Sequence, residues 1–310
     1  MIVVTGGAGF IGSHIVKALT KRKVSNILVV DKLGTGPKWK NLRDLRFADY
    51  MEAEDLPEFL RSNTRETITH IFHMGACSTT TEEDNSFLVR NNFEYSKMLA
   101  KYAFEKKAHF IYASSAATYG DGSQGFSDNE RNLYKLCPLN MYGYSKHMFD
   151  LWLKSKGKLR NVVGLKYFNV FGPGEAHKGD MRSMVSKAFE QMKYWEKIKL
   201  FMFPHGVKSV RDFIYIDDAI DITMFFYDHP EIRGIYNVGS GKARSWDDLA
   251  QAVCWVLDKR KYIEPIDMPD ELKDSYQYVT EADISKLRKA GYKKPMLELE
   301  QGVKKYFNAL

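Results

Sequence analysis

Short apolar runs alternate with longer amphipathic stretches through the N-terminal half of the chain. Continuous apolar runs at residues 2–4, 27–30 and 110–113 indicate strands buried on both faces, and further strands are expected at 69–74 and 162–168. Between them, apolar residues recur at helical spacing, as Ile15, Val16 and Leu19 do in a helix expected over 13–21. A longer helix is expected over 85–105. Strands that alternate with helices predict an α/β fold with a doubly wound parallel sheet of the Rossmann type.

The strand expected at 162–168 is interpreted as the last strand of the first lobe. We therefore predict a Rossmann domain over 1–168 and a smaller α+β domain over 169–310, with a segment near 212–240 returning to the first domain. In the second half, Ser245 is expected to cap a helix over 246–257.

Three further expectations concern the second half. Arg211 is expected to precede a strand, and its guanidinium suits bidentate binding of a phosphate. Asp217 or Asp218 is expected to cap a helix that begins near Ala219. Trp246 lies on the apolar face of its helix and is interpreted as a core residue.

The first predicted strand runs directly into a glycine-rich turn. Gly6, Gly9 and Gly12 permit a tight turn and a close approach of the backbone to a ligand. The helix that follows presents free N–H groups and a positive dipole end, which suit a pyrophosphate. Asp31 ends the second strand, 19 positions after Gly12, where a carboxylate can hydrogen-bond an adenosine ribose. This context predicts a dinucleotide cofactor.

The choice between NAD and NADP depends on the residues around Asp31. A carboxylate alone favours NAD, because it repels a 2′-phosphate. Lys32 follows it at once, and Lys38 and Lys40 lie in the next loop, although loop lysines are commonly only solvated. We expect NADP and leave NAD open. Asp49 is expected to end a further strand near the adenine.

Three further segments are expected at the carboxyl edge of the sheet. Gly75 and Ala76 are small residues at a strand end, where they let a cofactor pass close to the backbone. Ser115 follows the strand at 110–113 and is expected to hydrogen-bond a substrate oxygen. Tyr142 and Lys146 share one face of a helix. We expect Tyr142 to move a proton and Lys146 to hold the nicotinamide ribose and lower the tyrosine pKa.

Composition narrows the class of protein. An apolar content of 44% and a net charge of +7 without any basic run favour a globular protein that binds small anions, not nucleic acid. Cys77, Cys137 and Cys254 form no Cys-x-x-Cys motif, which argues against a disulfide framework or a zinc site. Neither a leader nor an apolar run of membrane-spanning length is evident. We expect a cytoplasmic protein without a membrane partner or a metal.

The glycine turn, the Ser115 strand end and Tyr142-x-x-x-Lys146 resemble the extended short-chain dehydrogenase/reductase family. Its members are largely nucleotide-sugar epimerases, dehydratases and reductases, and the resemblance covers the whole chain. It implies further contacts to the cofactor from Phe10, Ile11, Met74, Cys77, Ser78, Asn91, Val170 and Lys178. It also implies a set of substrate contacts, which comprises Ser78, Ser115, Asn169, Asp180, Lys187, Phe201, Arg211 and Tyr276.

The His-Lys-Gly segment at 177–179 is more specific. With the segments at 76–82, 114–120 and 291–295, it resembles the branch of the family that epimerises C6 of an ADP-linked heptose. In that branch, the lysine that matches Lys178 faces the sugar from the side opposite the tyrosine. Lys178 is therefore the expected second proton carrier.

The chain departs from this branch at several positions. Ala53 and Met74 stand where relatives often have a lysine and a glutamate, and both positions concern the adenosine end of the cofactor. Lys187 replaces a histidine of some relatives, and an insertion at 203–206 interrupts the nucleotide loop.

These resemblances imply an epimerase that oxidises C6 of ADP-heptose to a ketone and reduces it again from the other face, for the heptose of the lipopolysaccharide core. The alternative is a UDP-hexose 4-epimerase, which would rely on Tyr142 without Lys178. A 4,6-dehydratase needs an acid pair where Ala116 and Ala117 stand. A non-catalytic cofactor-binding protein would not need a proton shuttle. The resemblance also implies a homo-oligomer, with a pentamer as the expected state.

Overall fold

The computed structural model describes residues 1–62, 66–203, 207 and 209–309. The central sheet is built from short, buried strands: β1 (Ile2–Thr5), β2 (Ile27–Asp31), β3 (Asp49–Glu52), β4 (His70–His73), β5 (His109–Ser115), β6 (Val162–Tyr167) and, much later in the chain, β10 (Gly234–Val238). Its order is β10-β6-β5-β4-β1-β2-β3, and every neighbouring pair is parallel. The predicted doubly wound parallel sheet is confirmed.

Helices cover both faces of this sheet because successive strand residues point to opposite sides. Val4 packs in one apolar cluster with Ile15 of the first helix, whereas Val3 packs in the other with Leu99 and Phe149. The helices that flank the sheet are α1 (Phe10–Lys21), α2 (Leu56–Ser62), α3 (Asn85–Leu88), α4 (Tyr95–Lys106), α5 (Met141–Ser155) and α7 (Ile216–Asp228).

A smaller α+β region follows β6. Its strands form a three-stranded sheet of order β11-β9-β7 and a two-stranded sheet of β12 and β8, namely β7 (Asn169–Phe171), β8 (Ile198–Phe201), β9 (Val210–Tyr215), β11 (Ala243–Ser245) and β12 (Ile263–Ile266). Its helices are α6 (Met184–Trp195), α8 (Trp246–Val256), α9 (Asp270–Lys273), α10 (Ser285–Lys289) and α11 (Leu299–Phe307). Among the described residues, no helix is both long and apolar enough to span a bilayer.

The predicted side-chain cap is present at the N-terminus of α8 but absent at that of α7. Ser245 caps α8 as expected: its Oγ accepts the Asp248 N–H at 3.0 Å, and the Asp248 carboxylate accepts the Ser245 N–H at 2.9 Å. Such a reciprocal cap stabilises a helix by about 1 kcal/mol. The cap expected at Asp217 or Asp218 is wrong, because α7 already begins at Ile216 and has no side-chain cap.

Three other local expectations need correction. The helix expected over 85–105 contains a π-helical turn, Val89–Glu94, between α3 and α4. Asp49 begins β3 instead of ending a strand, and Arg211 lies inside β9 instead of preceding it. Boundaries of this kind depend on pairing with neighbouring strands, which a local pattern does not contain. The insertion at 203–206 extends beyond the described residues.

Candidate active site

The glycine-rich turn between β1 and α1 is shaped for close contact. Gly6 has a φ of +66°, and a Cβ there would lie 2.6 Å from the backbone nitrogen of Gly75. A Cβ on Gly12 would lie 2.0 Å from the carbonyl oxygen of Gly6. Gly9 caps α1 without a side chain, so the first-turn N–H groups at Phe10 and Ile11 face an uncovered end. A turn that leaves no room for a Cβ at Gly6 or Gly12 and ends in a helix N-terminus fits a dinucleotide pyrophosphate.

Asp31, which was expected to hydrogen-bond an adenosine ribose, binds the glycine-rich turn in this structure. Its Oδ2 accepts the N–H groups of Ala8 at 2.8 Å and Gly9 at 3.1 Å, so the buried carboxylate holds the turn itself. Its Oδ1 accepts a hydrogen bond from Lys38 Nζ at 2.9 Å. Lys32 instead pairs with Glu54 at 2.8 Å on the exposed surface. Of these two lysines, Lys38 is therefore the one that lies beside Asp31.

The loop after β4 is fixed by Asn92. The Cys77 N–H donates to Asn92 Oδ1 at 2.9 Å, and Asn92 Nδ2 donates to the Cys77 carbonyl at 2.9 Å and to Ser145 Oγ at 3.0 Å. The loop that carries Gly75 to Ser78 is thereby tied to α5. Asn91, which the resemblance implied as a cofactor contact, donates from its Nδ2 to Asn92 Oδ1 at 3.3 Å. Asn92 was not among the expected site residues, because its role is to join Cys77 and Ser145, which lie far from it in the sequence.

Two elements bring Ser115, Tyr142 and Lys146 together. Ser115 lies at the end of β5, and Asn140 starts α5 by accepting the Gly143 N–H at 2.8 Å. The Tyr142 phenol is hydrogen-bonded to the Ser115 side chain. Lys146 is buried, and its Nζ donates to the Ala113 carbonyl on β5 at 3.0 Å.

Burial sets the acid–base properties of this set. Burial raises the pKa of the Tyr142 phenol, and its hydrogen bond with Ser115 acts in the opposite direction. The expected lowering of the Tyr142 pKa by Lys146 is therefore wrong for this arrangement. Burial also lowers the pKa of the Lys146 amine to about 8, opposed by the negative charge of Asp150. Both shifts favour the neutral forms of the two groups.

Lys178 enters from the segment between β7 and α6. It lies in a short 3₁₀ helix, Ala176–Met181, and its Nζ is 5.7 Å from the centre of the Phe10 ring. Burial lowers the pKa of its amine, and the charge of Glu175 opposes this shift. The structure thus places a second lysine with a lowered pKa next to the start of α1.

A cavity of about 680 Å³ opens beside these residues. Five of the eight substrate positions that the resemblance implied line it, namely Asn169, Lys187, Phe201, Arg211 and Tyr276. Two implied cofactor positions, Val170 and Lys178, line it as well. Ala117 and Asn140, close neighbours of Ser115 and Tyr142, also line the cavity. Ser78 and Asp180 are exposed and lie outside the lining.

Aromatic rings enclose Arg211 at one end of the cavity. The guanidinium carbon of this buried residue lies 4.8 Å from the centre of the Tyr276 ring and 5.3 Å from the Trp246 ring. Trp246 is therefore not simply a core residue, as expected, but lines the cavity. A guanidinium between aromatic faces suits a phosphate next to a planar base.

The parallel sheet and the glycine-rich turn at its carboxyl edge define a dinucleotide-binding enzyme with a Rossmann fold. More specifically, the chain belongs to the NAD dependent epimerase/dehydratase family, whose model matches residues 2–239. The resemblance that the motifs carried is confirmed.

Curated relatives narrow the comparison further. A protein from Nitratidesulfovibrio vulgaris named ADP-L-glycero-D-manno-heptose-6-epimerase is 47% identical, over 99% of this chain and 96% of that protein. A relative of the same name from Fusobacterium nucleatum is 46% identical, with 99% and 96% covered. The crystal structure of the Helicobacter pylori ADP-L-glycero-D-manno-heptose-6-epimerase is 30% identical, with a TM-score of 0.85 over 99% of this chain and 95% of that chain.

Proposed function

We propose that this protein inverts C6 of ADP-D-glycero-D-manno-heptose to give ADP-L-glycero-D-manno-heptose. The observation that carries the proposal is the 45–47% identity, over nearly the whole chain, to proteins named for that epimerisation. The UDP-hexose alternative is less well supported, because two structures titled UDP-glucose 4-epimerase share 23% and 25% identity with this chain.

Inversion at C6 needs proton transfer at the C6 oxygen in two orientations. A nicotinamide cofactor held by the glycine-rich turn would supply both the acceptor and the donor of the C6 hydride, so the cycle would balance without an added oxidant. Tyr142, hydrogen-bonded to Ser115, serves the oxygen in one orientation. Lys178 serves it in the other, because its lowered pKa makes a neutral amine accessible. Lys146 holds the nicotinamide ribose.

We assign NADP as the cofactor. Both carboxylate oxygens of Asp31 already accept hydrogen bonds, and Lys38 offsets the negative charge. A 2′-phosphate beside Lys38 therefore meets less repulsion than beside a free carboxylate. Relatives often have a lysine at the position of Ala53 and a glutamate at that of Met74. Without that lysine, the assignment of NADP rests on Lys38.

The wider assignments rest on the same relatives. We propose a Rossmann domain over 1–168 that β10 rejoins, and a substrate-binding domain in most of 169–310. The product would supply heptose for the lipopolysaccharide core, and the protein would act in the cytoplasm as a homo-oligomer, with a pentamer as the proposed state.

One incubation separates the candidate functions. The purified protein is incubated with NADP and either ADP-D-glycero-D-manno-heptose or UDP-galactose, and the sugar is analysed by proton NMR. We expect C6 inversion of the heptose and no change in the galactose. Conversion of UDP-galactose with unchanged heptose would instead establish the 4-epimerase, and no conversion of either sugar would leave a cofactor-binding protein without this activity.

A further inference from the structure

Asn41 lies where two distant segments of the chain meet. It ends the short 3₁₀ helix Pro37–Asn41, which carries Lys38, and this helix packs against the 3₁₀ helix Ala176–Met181, which carries Lys178. Neither a glycine motif nor a periodic pattern points to this asparagine. Its position between a cofactor-side lysine and a substrate-side lysine gives it a role that the sequence did not indicate.

The Asn41 amide joins two backbone segments that are distant in sequence. Its Nδ2 donates to the Ala8 carbonyl at 3.0 Å and to the Gly174 carbonyl at 3.1 Å, and it lies 3.3 Å from His177 Nδ1. A primary amide has two N–H donors, and the two carbonyl oxygens use both. Ala8 belongs to the glycine-rich turn, so one side chain connects that turn with the Lys178 segment.

Gly174, one of the residues that accept a hydrogen bond from Asn41, packs tightly against its neighbours. A Cβ on Gly174 would lie 3.2 Å from the His14 ring, 3.6 Å from Asn41 Oδ1 and 3.8 Å from the Phe10 ring. Gly174 therefore packs directly onto the start of α1, and Lys178 Nζ lies over the Phe10 ring. The turn, the Asn41 amide and the Lys178 segment form one continuous patch.

We propose that Asn41 is a positioning residue that fixes the Lys178 segment to the cofactor-binding turn, so that a cofactor held in the turn sets the placement of Lys178. The Asn41 amide is not itself a proton carrier. It acts on the Lys178 segment through its hydrogen bond to the Gly174 carbonyl. The role assigned to Lys178 rests on the proposed function, whereas the physical link between the two segments does not. Since a 1 Å misplacement of a catalytic group can slow a reaction about a hundredfold, such a link has a measurable consequence.

Amide hydrogen exchange followed by mass spectrometry tests the link without an activity assay. In the wild-type protein, saturating NADP should slow exchange in residues 6–12 and in 174–181. In Asn41→Ala, we expect slowing at 6–12 to remain and slowing at 174–181 to be largely lost. Asn308→Ala, the same change at an exposed position, should behave as wild type. If NADP slows exchange at 174–181 in Asn41→Ala as much as it does in the wild type, the proposal is wrong.

Kinetics test the consequence for Lys178. Asn41→Ala should lower the epimerisation kcat about tenfold or more, with a much smaller change in KM for NADP. Asn41→Asp should be at least as slow, because a carboxylate offers no donor and repels the two carbonyl oxygens. In a Lys178→Met background, Asn41→Ala should have no further effect. Multiplicative losses in the double variant would contradict action through Lys178.

The two experiments separate this inference from the proposed function. If the wild-type protein converts no ADP-heptose, the proposed function fails, and hydrogen exchange still decides whether Asn41 links the two segments. If the protein is active but exchange at 174–181 does not depend on Asn41, only the positioning role fails.

Discussion

At the scale of single residues, burial determines the protonation chemistry of the site. Burial raises the pKa of Tyr142 and lowers those of Lys146 and Lys178. Asp150 and Glu175 each oppose the shift of one lysine without cancelling it. A neutral phenol can donate a proton to a C6 oxygen, and a lysine with a lowered pKa can accept one.

The shifted pKa of Lys178 predicts a pH dependence. In the direction of epimerisation in which Lys178 removes the proton of the C6 hydroxyl, only its neutral amine reacts, so kcat should rise as the pH increases and level off once the pH passes the lowered pKa. This plateau should begin below 10.5, the ordinary lysine value. The measurement is kcat of the wild type and of Lys178→Met between pH 6 and 10. The same rising limb in the residual activity of Lys178→Met would assign it to another group.

Lys38 and Lys32 provide a matched test of cofactor choice. Lys38 lies beside Asp31, whereas Lys32 pairs with exposed Glu54. Lys38→Ala should raise KM for NADP about tenfold and leave KM for NAD nearly unchanged, because it removes a charged hydrogen bond to the 2′-phosphate. Lys32→Ala should change both values much less. Equal effects of Lys38→Ala on the two cofactors would exclude this role.

At the scale of elements, a buried ion pair joins the helix and strands behind Ser115. Lys166 of β6 lies 3.2 Å from the Asp150 carboxylate of α5 and also donates to Thr118 Oγ1. Asp150 accepts the hydroxyls of Tyr112 and Ser114 of β5, each at 2.8 Å. Each group is fully buried, so each charge depends on its partner.

Breaking this pair should destabilise the fold. Lys166→Met leaves the Asp150 carboxylate without its cation, and a change of this kind costs about 3–5 kcal/mol. The double variant Asp150→Asn/Lys166→Met should lose less free energy of unfolding than the sum of the losses in the two single variants. Urea unfolding measures all three variants, with Glu54→Ala as an exposed ion-pair control. A loss for Lys166→Met as small as that of Glu54→Ala would contradict the structural role of the pair.

The elements also show what the sequence could and could not predict. Residues 2–4, the glycine turn and Ser245 were predicted well, because strand periodicity, backbone freedom and helix capping are local properties. Asn92 and Asn41 were missed, because each acts by joining segments that are distant in sequence. Trp246 was misinterpreted since its apolar periodicity is the same whether it faces a core or a cavity.

At the scale of the whole molecule, acid stability depends on histidines that are buried in the neutral form. His73 bonds Thr5 Oγ1 at 2.7 Å and Ser96 Oγ at 2.8 Å, and so links β1 and β4 with α4. Burial lowers its pKa from 6.5 to about 3. Below pH 6.5, His73 is therefore protonated in the unfolded chain but stays neutral in the folded protein. The free energy of unfolding falls as the pH decreases through this range.

The loss due to His73 should be about 2 kcal/mol between pH 7.5 and pH 5. Asp128 opposes it, because burial raises the pKa of that carboxyl to about 6. We therefore compare the wild type with His73→Gln, in which only the histidine contribution disappears. Urea unfolding at both pH values should show a smaller fall in stability for His73→Gln. The same fall in both proteins would show that His73 does not titrate as described.

The central claim is that two different side chains exchange protons with the two C6 epimers. Its most direct measurement compares Tyr142→Phe, Lys178→Met and the wild type, each starting from either ADP-heptose epimer, with bound NADP quantified in every sample. The account predicts that each variant retains cofactor but loses epimerisation about a hundredfold or more, since the loss of either proton carrier blocks the cycle. Wild-type epimerisation by Lys178→Met would contradict the two-base mechanism.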